Sequence, residues 1–150
     1  MIPHGFKYST MDPEDWENVD YFKPEEFKHP DWLDKNLIFT LDRLRAYVGR
    51  PFFIHCDFEF RKNFSWHSHG FAIDGHFEGM HPYDQYEAAC RFDEFNGVGF
   101  YPWWANPGIH VDTRPNDKTQ QDSRWFSPEK GLYLPVTAEN LRRYLWNGQS

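Results

Sequence analysis

The strongest constraint on the fold is an amphipathic helix pattern between residues 31 and 48. Gly49 follows this pattern as a stop signal, and Pro51 cannot extend a helix. Residues 52–54 (FFI) then indicate a short buried strand. The helix face is defined by five apolar residues at spacings of three and four: Leu33, Leu37, Ile38, Leu41 and Leu44.

Further elements follow without a regular alternation of helix and strand. Short strands are predicted at 70–74, 98–101 and 109–112. Helices are predicted at 84–95, with Asp84 as N-cap, and at 137–146. Residues 114–131 are predicted to be a loop. The pattern indicates an α+β fold, which we expect to be a small antiparallel sheet with flanking helices.

The length of 150 residues suits one domain, and 39% hydrophobic residues, half of them aromatic, supply a core. Residues 1–20 are polar and contain proline, so they are predicted to form a surface arm, with residues 21–150 as the domain. Neither Cys56 nor Cys90 belongs to a C-x-x-C pair. We expect two free, buried thiols, although the sequence leaves a disulfide open.

Charge and hydropathy exclude several kinds of partner. The formal net charge is −7, whereas nucleic-acid binding needs a basic face. The first 20 residues have no basic region followed by an apolar one, so no secretory signal is predicted. No apolar run reaches the roughly 18 to 20 residues that span a bilayer. We expect a monomer made in the cytoplasm, without nucleic-acid binding or membrane insertion.

Histidine is the residue type that points to chemistry. His67, His69 and His76 lie close together with Asp74 among them, and His110 follows further along the chain. Imidazole and carboxylate are both zinc ligands, and three protein ligands plus water are typical of catalytic zinc. Spacing alone leaves open a surface cluster of histidines. The sequence lacks H-E-x-x-H, G-x-S-x-G, a P-loop and G-x-G-x-x-G.

Two segments carry a resemblance to a known family. Residues 65–74 (SWHSHGFAID) fit S-x-H-x-x-G-x-A-x-D, and residues 97–102 (GVGFYP) with 108–114 (GIHVDTR) resemble a closing motif. Both are similar to motifs of the zinc D-alanyl-D-alanine carboxypeptidase family, which includes cell-wall peptidases and phage endolysins. The resemblance covers about residues 21–126 and implies a hedgehog-like fold.

The resemblance implies a zinc ion bound by His67, Asp74 and His110. His69 is the competitor for the place of His67. The implied substrate is a D-amino-acid-containing peptide of peptidoglycan, cut by carboxypeptidase or endopeptidase action. A phage or prophage enzyme, released by lysis or carried on a particle, fits this interpretation.

The general base is not assigned by the resemblance. Many members carry Glu three residues before the last histidine, or His two residues before it. These positions are Pro107 and Gly108 here. Asp112 shares a strand face with His110, so it is the candidate base. The alternative is that Asp112 holds a ligand imidazole or Arg114 in place.

Substrate contacts are predicted around the same site. Arg61 replaces the arginine of the family's S-G-Y-R segment and is expected to stabilise an oxyanion. Trp103 and Trp104 are expected to form a groove wall, and Ser65 to contact substrate. Because the S-G-Y-R segment and the Glu are altered, a catalytically impaired binding or structural module of the same fold is the second hypothesis.

Overall fold

The computed structural model describes residues 9–116 and 118–146. Four α-helices and six strands lie in these ranges, together with 3-10 turns at Pro24–Glu26, Pro30–Trp32 and Trp66–His69. In chain order the elements are α1 (Pro13–Trp16), α2 (Lys35–Val48), β1 (Phe52–Cys56), β2 (Ala72–Phe77), α3 (Pro82–Ala89), β3 (Gly97–Tyr101), β4 (Gly108–Asp112), β5 (Ser123–Phe126), β6 (Leu134–Pro135) and α4 (Ala138–Tyr144). None of the described helices is long and apolar enough to cross a membrane.

The strands form one mixed sheet in the order β1-β2-β4-β3-β5-β6. The α+β class is confirmed, but the prediction of a small antiparallel sheet is wrong. The sheet has six strands, and β3 and β5 run parallel. The missed strand β5 lies inside 114–131, which was predicted to be a loop. Its first three residues are all half-buried, so the sequence shows no alternation of buried and exposed residues that would predict a strand. Pairing with β3 makes this segment a strand.

Helix α2 supplies the centre of the core, as its pattern predicts. The five predicted apolar residues on this face, from Leu33 to Leu44, are all fully buried. The helix begins four residues later than predicted because Pro30–Trp32 forms a separate turn and Asp34 is the N-cap, accepting from the Leu37 N–H at 3.1 Å. Gly49 ends it in the left-handed conformation at φ 75°.

The second predicted helix is shorter than expected. Helix α3 spans Pro82–Ala89, and its N-cap is His81, whose Nδ1 accepts from the Tyr83 N–H at 3.1 Å. Asp84 is therefore not the N-cap, because Pro82 starts the helix at a position where no N–H is needed. The terminal helix α4 lies within the predicted range, with Leu141 buried.

The described part of the predicted surface arm belongs to the core. Met11, Trp16 and Val19 are buried in the same apolar cluster as α2. The Met11 N–H donates to the Leu33 carbonyl at 3.0 Å, and the Trp16 ring lies 5.3 Å from that of Phe27. Residues 1–8 lie outside the described residues. The arm prediction is wrong for residues 9–20 because three apolar residues among many polar ones are enough to anchor the segment.

Replacement of Trp16 by alanine tests this anchoring. Removing a buried indole should lower the free energy of unfolding by about 3–5 kcal/mol. Urea unfolding followed by circular dichroism measures the change. Glu17→Ala, an exposed neighbour, is the matched control and should stay within about 0.5 kcal/mol of the parent. A loss below about 1 kcal/mol in Trp16→Ala would restore the surface-arm interpretation.

Candidate metal centre

The site is built on one row of residues across the sheet. Cys56 in β1 pairs with Asp74 in β2, and Asp74 pairs with His110 in β4. The row continues through Gly99 in β3 to Trp125 in β5. Directly paired residues present their side chains on the same face of a sheet. Strand register therefore brings a thiol, a carboxylate and an imidazole side by side, although they lie far apart in the sequence.

His67 reaches this row from a short 3-10 turn at Trp66–His69. The Ser65 hydroxyl caps the turn by accepting from the His67 N–H at 3.2 Å, and Gly70 ends it at φ 78°. The His67 Nε2 atom lies 3.2 Å from Asp74 Oδ1. His69, the predicted competitor, instead places Nδ1 3.0 Å from the Ser65 carbonyl. Of the two histidines, the structure brings His67 to Asp74.

Two imidazoles converge on a single carboxylate oxygen. His110 Nδ1 lies 2.9 Å from Asp74 Oδ1, the same atom that His67 approaches. His67 is 3% exposed and His110 8%. The three residues predicted as metal ligands thus meet at one buried point.

The far nitrogen of each imidazole is held by an acceptor. His67 Nδ1 lies 2.9 Å from the carbonyl oxygen of Asp57, and His110 Nε2 lies 2.6 Å from Asp112 Oδ2. A carbonyl or an ionised carboxylate only accepts, so each far nitrogen carries a proton. In the neutral imidazoles the nitrogens that face Asp74 then offer lone pairs, as metal binding requires.

Asp112 is the most enclosed charged group of the site. It has no exposed surface, and Arg114 binds it through Nε at 2.7 Å and Nη2 at 2.6 Å. Burial alone raises the pKa of this carboxyl, but Arg114 and His110 together hold it well below its usual range. Of the two roles predicted for Asp112, the geometry favours holding the His110 imidazole, with Arg114 completing the chain of contacts.

Glycines in β3 make room for the site. A Cβ atom at Gly97 would overlap the Asp112 carboxylate, and one at Gly99 would overlap the Trp125 indole. The G-x-G pattern of residues 97–99 is therefore explained by close approach of two functional side chains rather than by a turn.

Without a metal the cluster holds protons. Burial opposes the charged form of His67, yet hydrogen bonds to Asp74 and Cys56 raise its pKa to about 9. Burial likewise opposes protonation of His110, but Asp112 and Asp74 raise its pKa to about 9. Burial would raise the pKa of Asp74, but both imidazoles hold it far below its usual range. At neutral pH the nitrogens of His67 and His110 that face Asp74 are therefore protonated and donate to its carboxylate.

Cys56 was missed as a candidate in the sequence. Cys56, His67 and Asp74 form a group that could hold a metal ion, with ligand atoms all within 4.8 Å of one another. The Cys56 sulfur lies 3.6 Å from His67 Nδ1 and 3.1 Å from a Glu59 carboxylate oxygen. Its position after a buried strand was the available signal, but the register that places it beside Asp74 is not visible in the sequence. Cys56 and Cys90 are both free, as predicted, but only half-buried.

The predicted substrate residues surround the cluster. A cavity of about 380 Å³ is lined by His67, Asp74 and His110 and also by the four predicted contact residues: Arg61, Ser65, Trp103 and Trp104. Arg61 pairs with Glu59 at 3.2 Å. The Trp103 indole donates to Ser127 Oγ at 3.1 Å and stays 40% exposed, while Trp104 stacks on Tyr101. The loop before β4 therefore forms an aromatic wall beside the two imidazoles.

Comparisons with known proteins assign no family to this chain. No family model, no curated protein and no solved structure matches it.

The free energy of unfolding of the metal-free protein should fall as the pH rises above 6.5. Because the pKa values of His67 and His110 are about 9 when folded and about 6.5 when unfolded, their contribution is complete below pH 6.5 and disappears towards pH 9. Asp74 and Asp112 have lowered pKa values, so their contribution is lost as the pH falls below about 4. Urea unfolding in chelator should give maximal stability between about pH 4 and 6.5. A free energy of unfolding that is flat or rising from pH 6.5 to 9 would contradict the protonated cluster.

Proposed function

We propose that the chain is a zinc-dependent peptidase that hydrolyses D-amino-acid-containing peptides of bacterial cell-wall peptidoglycan. The observation that carries the proposal is the meeting of His67 Nε2 and His110 Nδ1 on Asp74 Oδ1, at 3.2 and 2.9 Å. Three acceptors that face one another in a buried site repel unless a cation lies between them. In the metal-free protein this cation is a proton, and in the proposed enzyme it is a divalent metal ion.

The donor set fits zinc. Two imidazole nitrogens and one carboxylate oxygen are typical of catalytic zinc sites, in which a fourth position stays open. The outer contacts of His67 with Asp57 and of His110 with Asp112 fix which nitrogen of each ring faces the metal. When bound, zinc lowers the pKa of a water molecule and polarises a carbonyl. The open position would face the cavity, where a peptide has access.

His110 is favoured over Cys56 as the third ligand. The Cys56 sulfur approaches Nδ1 of His67, the nitrogen that also contacts the Asp57 carbonyl. His110, by contrast, approaches the same Asp74 oxygen as His67 Nε2 does. His67 Nε2 and His110 Nδ1 thus approach one oxygen atom of Asp74, whereas the Cys56 sulfur approaches the other nitrogen of the His67 ring.

The cavity suits an extended peptide with a carbonyl or carboxylate near the cluster. The Arg61 guanidinium lines the cavity and supplies a positive charge for such a group. Trp103 and Trp104 offer flat apolar faces for side chains or sugar rings. The choice of a D-amino-acid wall peptide comes from the resemblance of residues 65–74 and 97–114 to the zinc D-alanyl-D-alanine carboxypeptidase family.

A second candidate is a zinc-containing binding module without hydrolytic activity. Among the described residues that line the cavity, Asp74 is the only carboxylate. Asp112 is fully buried between His110 and Arg114, and Pro107 and Gly108 have no titratable side chain. Among the described residues, the cavity therefore holds no carboxylate other than a proposed metal ligand to accept a proton, and this observation supports the binding module.

Zinc content and wall digestion separate these candidates. The purified chain should bind one zinc ion and release peptide fragments from bacterial wall, detected by mass spectrometry. His67→Ala and His110→Ala should lose both properties because each removes a ligand. His69→Ala is the matched control from the same turn and should retain zinc, and Cys56→Ser should also retain it.

Each outcome has a distinct meaning. Stoichiometric zinc without cleavage of any wall type would select the binding module. Zinc lost in Cys56→Ser but kept in His110→Ala would replace the ligand set by Cys56, His67 and Asp74. Absence of zinc from the parent protein would overturn both candidates.

Asp112→Asn tests the outer contact of His110. The amide is close in shape but carries no charge. It therefore accepts a weaker hydrogen bond from the His110 ring and no longer balances the charge of Arg114. We expect zinc affinity to fall about 10- to 100-fold, measured by competition with a chromophoric chelator. The control is Asp122→Asn, since Asp122 also pairs with an arginine but is only half-buried and does not contact His110; this variant should bind zinc normally. Unchanged affinity in Asp112→Asn would show that Asp112 does not position His110.

A further inference from the structure

We propose that the Tyr101 hydroxyl donates a hydrogen bond to the substrate oxygen that becomes negatively charged during peptide hydrolysis. This inference rests on the proposed function and adds a catalytic residue to it. Neither the motif resemblance nor the spacing of the histidines assigns a role to Tyr101.

Tyr101 lies on the same face of the sheet as the metal cluster. It is the last residue of β3, two positions after Gly99, and Gly99 pairs directly with His110. Alternate residues of a strand share a face, so Tyr101 is directed to the side of His110. It lines the same cavity as His67 and Asp74. A substrate that reaches the cluster therefore passes the Tyr101 side chain.

The hydroxyl of Tyr101 has a proton to offer. The Trp125 indole Nε1 donates to the Tyr101 oxygen at 2.9 Å. An indole N–H can only donate, so the phenol must be the acceptor in this contact. No residue in the described part of the chain accepts the phenol's own proton. Tyr101 is 9% exposed and lines the cavity, so a water molecule or a ligand in the cavity can accept this proton.

The proton stays on the oxygen under working conditions. Burial raises the pKa of Tyr101 far above its ordinary value, outweighing the opposite effect of the Trp125 hydrogen bond. The nearby carboxylates of Asp74 and Asp112 raise it further. A phenol that remains neutral at physiological pH acts as a hydrogen-bond donor and not as a base.

The donor is held in place before substrate arrives. The Tyr101 ring stacks on Trp104, with centroids 4.3 Å apart and planes 9° from parallel. Trp125 fixes the hydroxyl, and Trp125 can lie there because Gly99 has no side chain to overlap the indole. Donors that are already oriented stabilise developing charge without the cost of reorganisation. Trp104 and Trp125 therefore orient the Tyr101 hydroxyl in addition to packing against apolar groups.

Tyr101→Phe is the direct test, since it removes the donor and keeps the ring. We expect the kcat for a soluble muropeptide to fall about 10²- to 10³-fold, with KM within about threefold and zinc content unchanged. Tyr86→Phe is the matched control, because Tyr86 is also 9% exposed but lies on α3, outside this cavity. It should retain the parent kcat.

A structural role makes a different prediction. Tyr101→Phe also leaves the Trp125 N–H without its acceptor, so movement of Trp125 is the alternative cause of a loss of activity. Trp125→Phe removes that N–H but keeps the Tyr101 hydroxyl. A substrate donor requires Tyr101→Phe to be at least tenfold slower than Trp125→Phe. Equal losses in the two variants, or a Tyr101→Phe kcat within threefold of the parent, would overturn the inference.

Binding of a phosphinate dipeptide analogue keeps the test independent of turnover. Its tetrahedral anionic oxygens imitate the charged species, so Tyr101→Phe should bind it at least tenfold more weakly by calorimetry. If the parent protein cleaves no muropeptide, the peptidase proposal fails, and this measurement alone decides the role of Tyr101. Equal affinity in parent and variant, or no binding by the zinc-loaded parent, would refute the role.

Discussion

The contact of Asp74 with two imidazoles is the interaction on which the site depends. Its Oδ1 atom lies 3.2 Å from His67 Nε2 and 2.9 Å from His110 Nδ1, in a place with little access to water. Such an arrangement is unfavourable between neutral imidazoles and a carboxylate, because all three atoms then present lone pairs. A cation must join them. The raised pKa values of the two histidines and the proposed binding of a metal ion are two consequences of the same electrostatic requirement.

The sheet and its glycines make this arrangement possible. β4 lies between β2 and β3, so His110 has Asp74 on one side and Gly99 on the other. The absence of side chains at Gly97 and Gly99 admits the Asp112 carboxylate and the Trp125 indole next to the cluster. The contact of His110 with Asp112 is thus held by the sheet, which is a more rigid support than a loop.

The sequence predicts the parts of the site that local pattern determines. The motif resemblance of residues 65–74 predicts His67 and Asp74 as ligands, and the apolar spacing of α2 predicts its buried face. Long-range pairing determines the rest. Cys56 joins the cluster through its register with Asp74, and β5 becomes a strand only because β3 accepts it in parallel. Met11 and Trp16 anchor a polar segment through contacts that no local periodicity reveals. Asp112 was predicted with two roles, and only its contacts with Arg114 and His110 distinguish them.

The cavity is richer in groups that stabilise negative charge than in groups that accept protons. Arg61 and the Tyr101 hydroxyl line it, and so does Arg114, whose charge is already paired with Asp112, whereas Asp74 is its only carboxylate among the described residues. Electrostatic stabilisation of an oxyanion is commonly the largest single contribution to acyl-transfer catalysis, and general-base assistance contributes less. In the proposed peptidase, the lack of a general base at Pro107 would therefore leave the contacts that stabilise an oxyanion in place. A slow but specific hydrolase is consistent with this balance, and so is a module that binds the same peptide without cutting it.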